Sequence, residues 1–415
     1  MSRTRLRDLS VIEAAIGINS GLSEQTLMNA AARNGDDITD VISDASSSRH
    51  SNASLGDWLA ARVEVLDPTY RGPWTTPALL RENARIDAEL GAEIGASAGM
   101  STMTGVSGLL SNLANKHLEQ GYANSGAASS LKKLAKRVLV KDFKKNTALR
   151  VGLGDLLGPL GPGGEVKSTT LNEDQTEFNI GIFARSLTVT EEALANDDLG
   201  AIEGAEVMGA AASRTEELEA ASLFSEAASA AVSGQPSSGE FFFGTNAADG
   251  QRANYLTGST SALSIDSLSA AYQKLKGQVD RSGDPVDLQP THLITTGANE
   301  VLARQLCTAT EIRPSGATDR DAPISNPFAG NLEPIASPWL QSARIVNPLP
   351  DGAWFLAAVS RTTAPVILAH RVGHERPTVR VGPAAPNQLA MNFMVRLDFG
   401  TALHDRRSIV CSAGA

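Results

Sequence analysis

The chain has 415 residues, 42% of them hydrophobic and 20% charged, and carries a formal net charge of -10. Such a composition folds around one large core or two to three ordinary ones, and the acidic balance excludes a surface devoted as a whole to nucleic acid or an anionic membrane. Cys307 and Cys411, the only cysteines, are too few for a disulfide scaffold and too far apart for a zinc knuckle, so they read as reduced thiols. No run approaches the roughly 18 apolar residues of a membrane span, and the first residues lack a continuous apolar segment for secretion, so cytoplasmic folding is expected.

Residues 1–95 alternate short helical patterns with polar breaks, at 6–18, 23–33, 55–65 and, past the Arg71-Gly72-Pro73-Trp74 turn, 76–94. Residues 46–54 are poor in apolar side chains and read as a flexible link. A further helix is expected over 106–120, where Leu109, Leu110, Leu113 and Leu118 recur, and Gly121 is expected to break it. Residues 131–145 then hold seven basic side chains, Lys132, Lys133, Lys136, Arg137, Lys141, Lys144 and Lys145, against the single acid Asp142. Leu131, Leu134, Val138, Val140 and Phe143 interleave with them, which fits a solvated face on a buried strand or helix better than direct nucleic-acid contact, though both stand.

Glycines and prolines preclude regular structure over 153–162, and the spacing of Gly152, Gly154 and Gly158 is one residue too long for a dinucleotide loop. Residues 165–171, a polar turn at 172–174 and residues 176–190 read as a two-stranded arm, with Phe178, Ile180, Ile182 and Ala184 alternating against Asn179, Gly181 and Arg185. An arm with so little core of its own needs a partner surface. The longest helical signal follows over 197–226, with Leu199, Ile202, Ala205, Met208, Leu218 and Ala221 on one face and Glu203, Glu206, Glu217 and Glu219 off it. Asn196, Asp197 and Asp198 suit its N-terminus, and Gly234, Gln235 and Pro236 its end. Its apolar face is narrow and rich in alanine, so a flat element must pack close against it. The strand expected over 389–403 is the candidate, because Met391, Phe393, Val395, Leu397 and Phe399 alternate with Asn392, Met394, Arg396 and Asp398. Between the two, helices at 265–278 and 298–308 mix with strands at 291–296, 332–336, 354–359, 366–370 and 378–381, an α+β order.

Candidate chemistry is sparse. Gly95-Ala96-Ser97-Ala98-Gly99 has the letters of a nucleophile elbow, but the elbow needs a strand before it and residues 83–94 read helical, so Ser97 is expected to be a hinge residue. His370 and His374 are four apart, yet a β-like run and Gly373 argue against a helix carrying them as a metal pair, and only Glu375 offers an acidic third ligand. His50, His117, His292 and His404 are scattered. No catalytic, cofactor or metal site is expected.

The order of elements, together with seven segments, carries a resemblance. These are SNLANKHLEQGY (residues 111–122), VKDFKKNTALRVG (140–152), GPGGEVKSTTLNEDQ (161–175), TVTEEALANDDLGA (188–201), TEIRPSG (310–316), NPFAGNLEPIASPWL (326–340) and FMVRLDFGTAL (393–403). In this order, over about 300 residues, the chain resembles the major capsid proteins of tailed phages with the Hong Kong 97 fold. It looks most like the branch with the phage Mu major head protein and the capsid half of prohead protease and capsid fusions.

The resemblance implies an α+β capsid subunit divided into a helical N-terminal extension (1–100), an N-terminal arm (101–152), an extended loop (153–187) and a peripheral domain with the spine helix (188–255). An axial domain (256–370) and C-terminal strands returning to the peripheral domain (371–415) complete it. The loop, through Gly163, Gly164, Glu165, Lys167, Asn172 and Asp174, would lie over a neighbouring subunit. The basic run would belong to the arm and pair with acidic faces of adjacent subunits. Partners would be further copies in hexamers and pentamers, a portal, a separate prohead protease, a scaffold, and packaged double-stranded DNA bound without sequence specificity, in a virion assembled in the host cytoplasm. The extension is too short for a protease and stands as either a scaffolding-like segment or a permanent decoration. Lys167 sits in the loop where some relatives cross-link, but the motif around it does not match. An encapsulin-like cellular shell and a serine hydrolase using Ser97 are the competing readings.

Overall fold

The computed structural model describes residues 3–19, 22–28, 39–46, 55–67, 69–75, 78–79, 81–83, 85–86, 104–125, 131–151, 173–190, 192, 200–233, 242–244, 253–280, 283–312, 324–360, 363–383 and 390–414. Its helices are α1 (Arg3–Asn19), α2 (Thr39–Ala45), α3 (Leu55–Leu66), α4 (Thr104–Ser125), α5 (Gly200–Ser233), α6 (Ile265–Lys276) and α7 (Glu300–Thr308). The strands that matter below are β1 (Ala135–Val140), β2 (Asn146–Val151), β3 (Glu173–Phe178), β4 (Gly181–Thr190), β5 (Tyr255–Leu256), β6 (His292–Thr295) and, after two short strands β7 (Glu311–Ile312) and β8 (Ile324–Ser325), β9 (Glu333–Ala336). β10 (Trp354–Ala357), β11 (Val366–Arg371), β12 (Thr378–Pro383), β13 (Ala390–Leu403) and β14 (Ile409–Ser412) complete the set. The chain folds into two compact units: residues 1–126, 182–213 and 376–398 form one, and residues 127–181, 214–375 and 399–415 the other. Two continuous elements, α5 and β13, thus contribute residues to both.

In the first unit, α4 runs through Gly121 to Ser125, where the sequence suggested a break. The reason for the glycine is packing: a Cβ there would stand 2.0 Å from the Glu206 carbonyl oxygen of α5, and one on Gly209 would stand 2.1 Å from the Leu118 carbonyl oxygen of α4. Glycine is the residue that lets two helix backbones approach so closely. Along the same helix, the Val379 amide of β12 donates to Asn115 Oδ1 at 2.8 Å. β12 pairs antiparallel with residues 391–396 of β13. The inward face of that strand, Met391, Phe393 and Val395, joins Ala205 and Met208 of α5 in one cluster, as the alternation and the alanine-rich helix face required.

The second unit is built on a sheet in the order β5-β14-β10-β6-β9. Its central strand β10 is buried at every position, so it reads as an apolar run instead of an alternation. α6 covers one side with Leu268, Ala271 and Leu275, and it starts with a capping box in which Ser264 Oγ accepts the Ser267 amide and Ser267 Oγ accepts the Ser264 amide. Residues of α5 from Ala220 onwards share a second cluster with Phe243, Phe355 and Ile409. β1 pairs parallel with β11, which pairs antiparallel with residues 399–403. Among the described residues no helix is long and apolar enough to cross a membrane.

Candidate functional site

The basic run folds as a buried anchor followed by an exposed strand. Leu131 and Leu134 are fully buried in a single 3-10 turn, and this holds the lysines between them at the foot of α5 residues 216–217. The Leu131 amide donates to Glu217 Oε2 at 3.0 Å. Lys132 Nζ lies 2.6 Å from Glu216 Oε2, whose other oxygen is 2.9 Å from His370 Nε2 on β11. Glu216 has no solvent exposure. Burial pushes its carboxyl up, but the His370 hydrogen bond and the Lys132 charge and hydrogen bond more than offset this and hold it below the usual glutamate range. One buried carboxylate thus ties together the basic turn, the spine helix and β11.

The other basic residues lie further out. Lys133 pairs with Glu333 at 2.5 Å, and Lys145 pairs with Glu177. Lys136, Arg137, Lys141 and Lys144 are exposed beside Leu139 and Phe143, and the Arg371 guanidinium sits 5.4 Å from the Phe143 ring centroid. The run is therefore the solvated face of a partly buried strand, and Lys132, Lys133 and Lys145 have acidic partners within the chain.

The arm differs in its pairing from the sequence reading. β3 pairs antiparallel with β2, with Asn146 opposite Phe178 and Val151 opposite Glu173, so the partner strand is 146–151 and not the 165–171 stretch that the sequence suggested. Residues 152–172 are outside the described residues, and Gly163, Gly164, Glu165, Lys167 and Asn172 with them. Asp174 was expected in a turn; it belongs to β3, opposite Arg150. The single strand expected over 176–190 is interrupted at Asn179 and Ile180, and the inward phase slips there. Phe178 and Ile180 are buried with Val140, Ile367 and Ala369, whereas Ile182 is exposed and inward positions in β4 are Phe183, Leu187 and Val189.

Among the described residues, the candidate catalytic groups do not converge. Ser97 lies outside the described residues. His370 faces Glu216, while His374 closes a turn in which its amide donates to the Arg371 carbonyl at 2.9 Å and Gly373 takes φ 77. Among the described residues no group of three or more His, Cys, Asp or Glu is placed to hold a metal ion. Burial pushes the Cys307 thiol up to about 11 and the Cys411 thiol well above its ordinary value, which keeps both protonated and unreactive. His370 was singled out by the sequence, but Glu216 was not: a glutamate beside a glutamate in a long helix carries no local sign of which one is buried.

The described residues thus combine an α+β architecture, a separate β2–β3 pair and an ion-paired anchor at Glu216. A family model for phage capsid protein matches residues 173–412, from the first residue of β3 to the last of β14, and the chain belongs to that family. No curated protein matches it in sequence. Among solved structures, the capsid of the cyanophage P-SCSP1u is similar at 10% identity and a TM-score of 0.44, over 68% of this chain and 87% of that one. The capsid of a native GTA particle has 15% identity and a TM-score of 0.44, over 70% and 91%. The encapsulin of Synechococcus elongatus PCC 7942 has 12% identity and a TM-score of 0.39, over 68% and 85%. The family and the architecture together agree with an α+β capsid fold of the Hong Kong 97 type and a structural role.

Proposed function

We propose that this structural major capsid protein assembles with copies of itself into the hexamers and pentamers of an icosahedral phage or prophage head that encloses double-stranded DNA. The observation that carries the reading is the family match, which runs unbroken from the arm strand β3 through the spine helix to β14. Residues 153–187 act as the extended loop over a neighbour, residues 188–255 and 371–415 as the peripheral part and residues 256–370 as the axial part. Exposed Lys136, Arg137, Lys141 and Lys144 meet acidic faces of adjacent copies. A portal, a separate protease and a scaffold are the further partners, and assembly takes place in the host cytoplasm. The seven segments quoted above support placement beside the phage Mu head protein. Subunits that depend on neighbours in a closed shell tolerate a thin arm that would be only marginally stable alone.

The test is electron microscopy of the purified chain together with its sedimentation coefficient. Rings of five or six, or closed shells, are expected. A compact monomer that persists with its protease and scaffold present would overturn the reading, and shells that form only around a co-encoded enzyme would favour an encapsulin-like container.

A further inference from the structure

We propose that the segment ending at residue 86, through its described helices, is a permanent, core-sharing part of the subunit, so that cutting the chain between it and α4 leaves the two pieces bound as one body. As a statement about the mature shell this rests on the capsid reading, but its physical basis is local. The family match begins at residue 173, so family membership alone leaves the first helices free to be a temporary appendage. Their packing does not.

A removable segment needs a seam that both sides can expose to water after it leaves. Here the seam is core. Leu22, Leu27 and Leu59 lie in the same buried cluster as Leu113, Ala114 and Leu118 of α4, and those three α4 side chains have no solvent exposure. The cluster continues without a break into Val379, Phe393 and Val395, which belong to the family-matched part of the chain. An apolar seam of this kind resembles an obligate interface, a domain core cut in half.

Polar groups fix the register. Gln120 Oε1 of α4 accepts the Ser23 amide at 3.0 Å and the Thr26 hydroxyl at 3.4 Å, and Lys116 lies 3.6 Å from Glu13. Within the extension, Asn83, fully buried, accepts from Arg62 Nη1 at 2.8 Å and donates to the Leu79 carbonyl at 2.9 Å. On another side, α4 holds β12 through Asn115 and α5 through Gly121. α4 is therefore gripped by the extension and by the capsid body at once, and removing the extension would bare its leucines.

The experiment uses the full chain with a specific protease recognition sequence inserted after Gly95. It is cut to completion, as judged on a denaturing gel, and then run by native gel filtration and sedimentation. Both pieces are expected to migrate together at the mass of the uncut protein, in low and in molar salt, and to separate only in denaturant. Gln120→Ala removes the hydrogen bonds to Ser23 and Thr26 and should weaken retention of the cut piece about tenfold, and Leu113→Asp should release it. If Leu113→Asp does not fold, Gln120→Ala carries the test. An N-terminal piece that leaves under native conditions while the body stays soluble overturns the proposal, as does unchanged retention in Gln120→Ala. Shells whose subunits shed residues 1–86 after cutting count against this proposal alone; a tightly held cut complex that forms no shells counts against the capsid reading alone.

Discussion

At Glu216 the balance of terms is plain. A carboxylate with no water around it is tolerated because Lys132 and His370 take up both of its oxygens. Glu216→Leu leaves the Lys132 ammonium without its carboxylate and His370 Nε2 without its hydrogen-bond partner, and should cost about 3–5 kcal/mol in denaturant unfolding. The double variant Glu216→Leu with Lys132→Met should recover most of that, because apolar groups replace a buried ion pair at little net cost. His117 titrates the other way. It is fully buried on α4, and burial lowers its pKa from the ordinary histidine value to about 4. The folded state therefore holds the ring neutral while the unfolded chain protonates it near 6.5. Its effect is absent above that pH, and stability falls as pH drops from about 6.5 to about 4, by up to roughly 3 kcal/mol. Glu216, whose pKa is depressed, adds a separate loss only below the ordinary glutamate range. Urea unfolding midpoints at pH 7 and pH 5 should show the first slope in the parent chain and not in His117→Leu.

Among elements, the α4–α5 contact is the sharpest. Gly121→Ala and Gly209→Ala each gain about 1 kcal/mol of helix propensity, yet the added methyl has a backbone carbonyl where it must go. A net loss of about 2 kcal/mol or more is expected for each in thermal unfolding, whereas Gly382→Ala, with nothing within 4 Å of the added atom, should be close to neutral. The same contact shows where local pattern misleads, since a helix-breaking glycine and a contact glycine look alike in one dimension. Elements with one wet and one dry face were legible: α6 and the Met391, Phe393, Val395 alternation of β13 follow directly from periodicity. β13 departs from that alternation at Asp398, which is buried but held by Arg396 at 2.6 and 2.8 Å. β2 was missed because its partner strand begins more than 20 residues further along the chain, and short β14, buried at all four positions, has no period to read. α2 was missed too, with few apolar residues in its seven. Of the site, the basic residues were visible as composition; which of them are paired depends on α5, β9 and β3, and only the fold brings those together.

For the whole molecule, the capsid reading proposed above makes residues 153–187 the part whose loss should separate folding from assembly. If residues 156–168 serve only contacts with a neighbouring copy, replacing them with a short Gly-Ser link should leave the circular dichroism spectrum and the unfolding midpoint within error of the parent. Closed shells should be lost in electron microscopy; shells of normal size and yield from that variant would remove the loop from the assembly contacts. The cluster that joins the first helices to β12 and β13 also sets an order of events during synthesis. Leu118 is translated long before its neighbours Val379 and Phe393 exist. At roughly 5–20 residues per second, the leucine face of α4 and the helices on it wait tens of seconds for the strands that close their core. The nascent chain thus carries an open apolar seam through most of its time on the ribosome, and yield in a host depleted of its ribosome-associated chaperones should fall first through aggregates that contain the N-terminal helices.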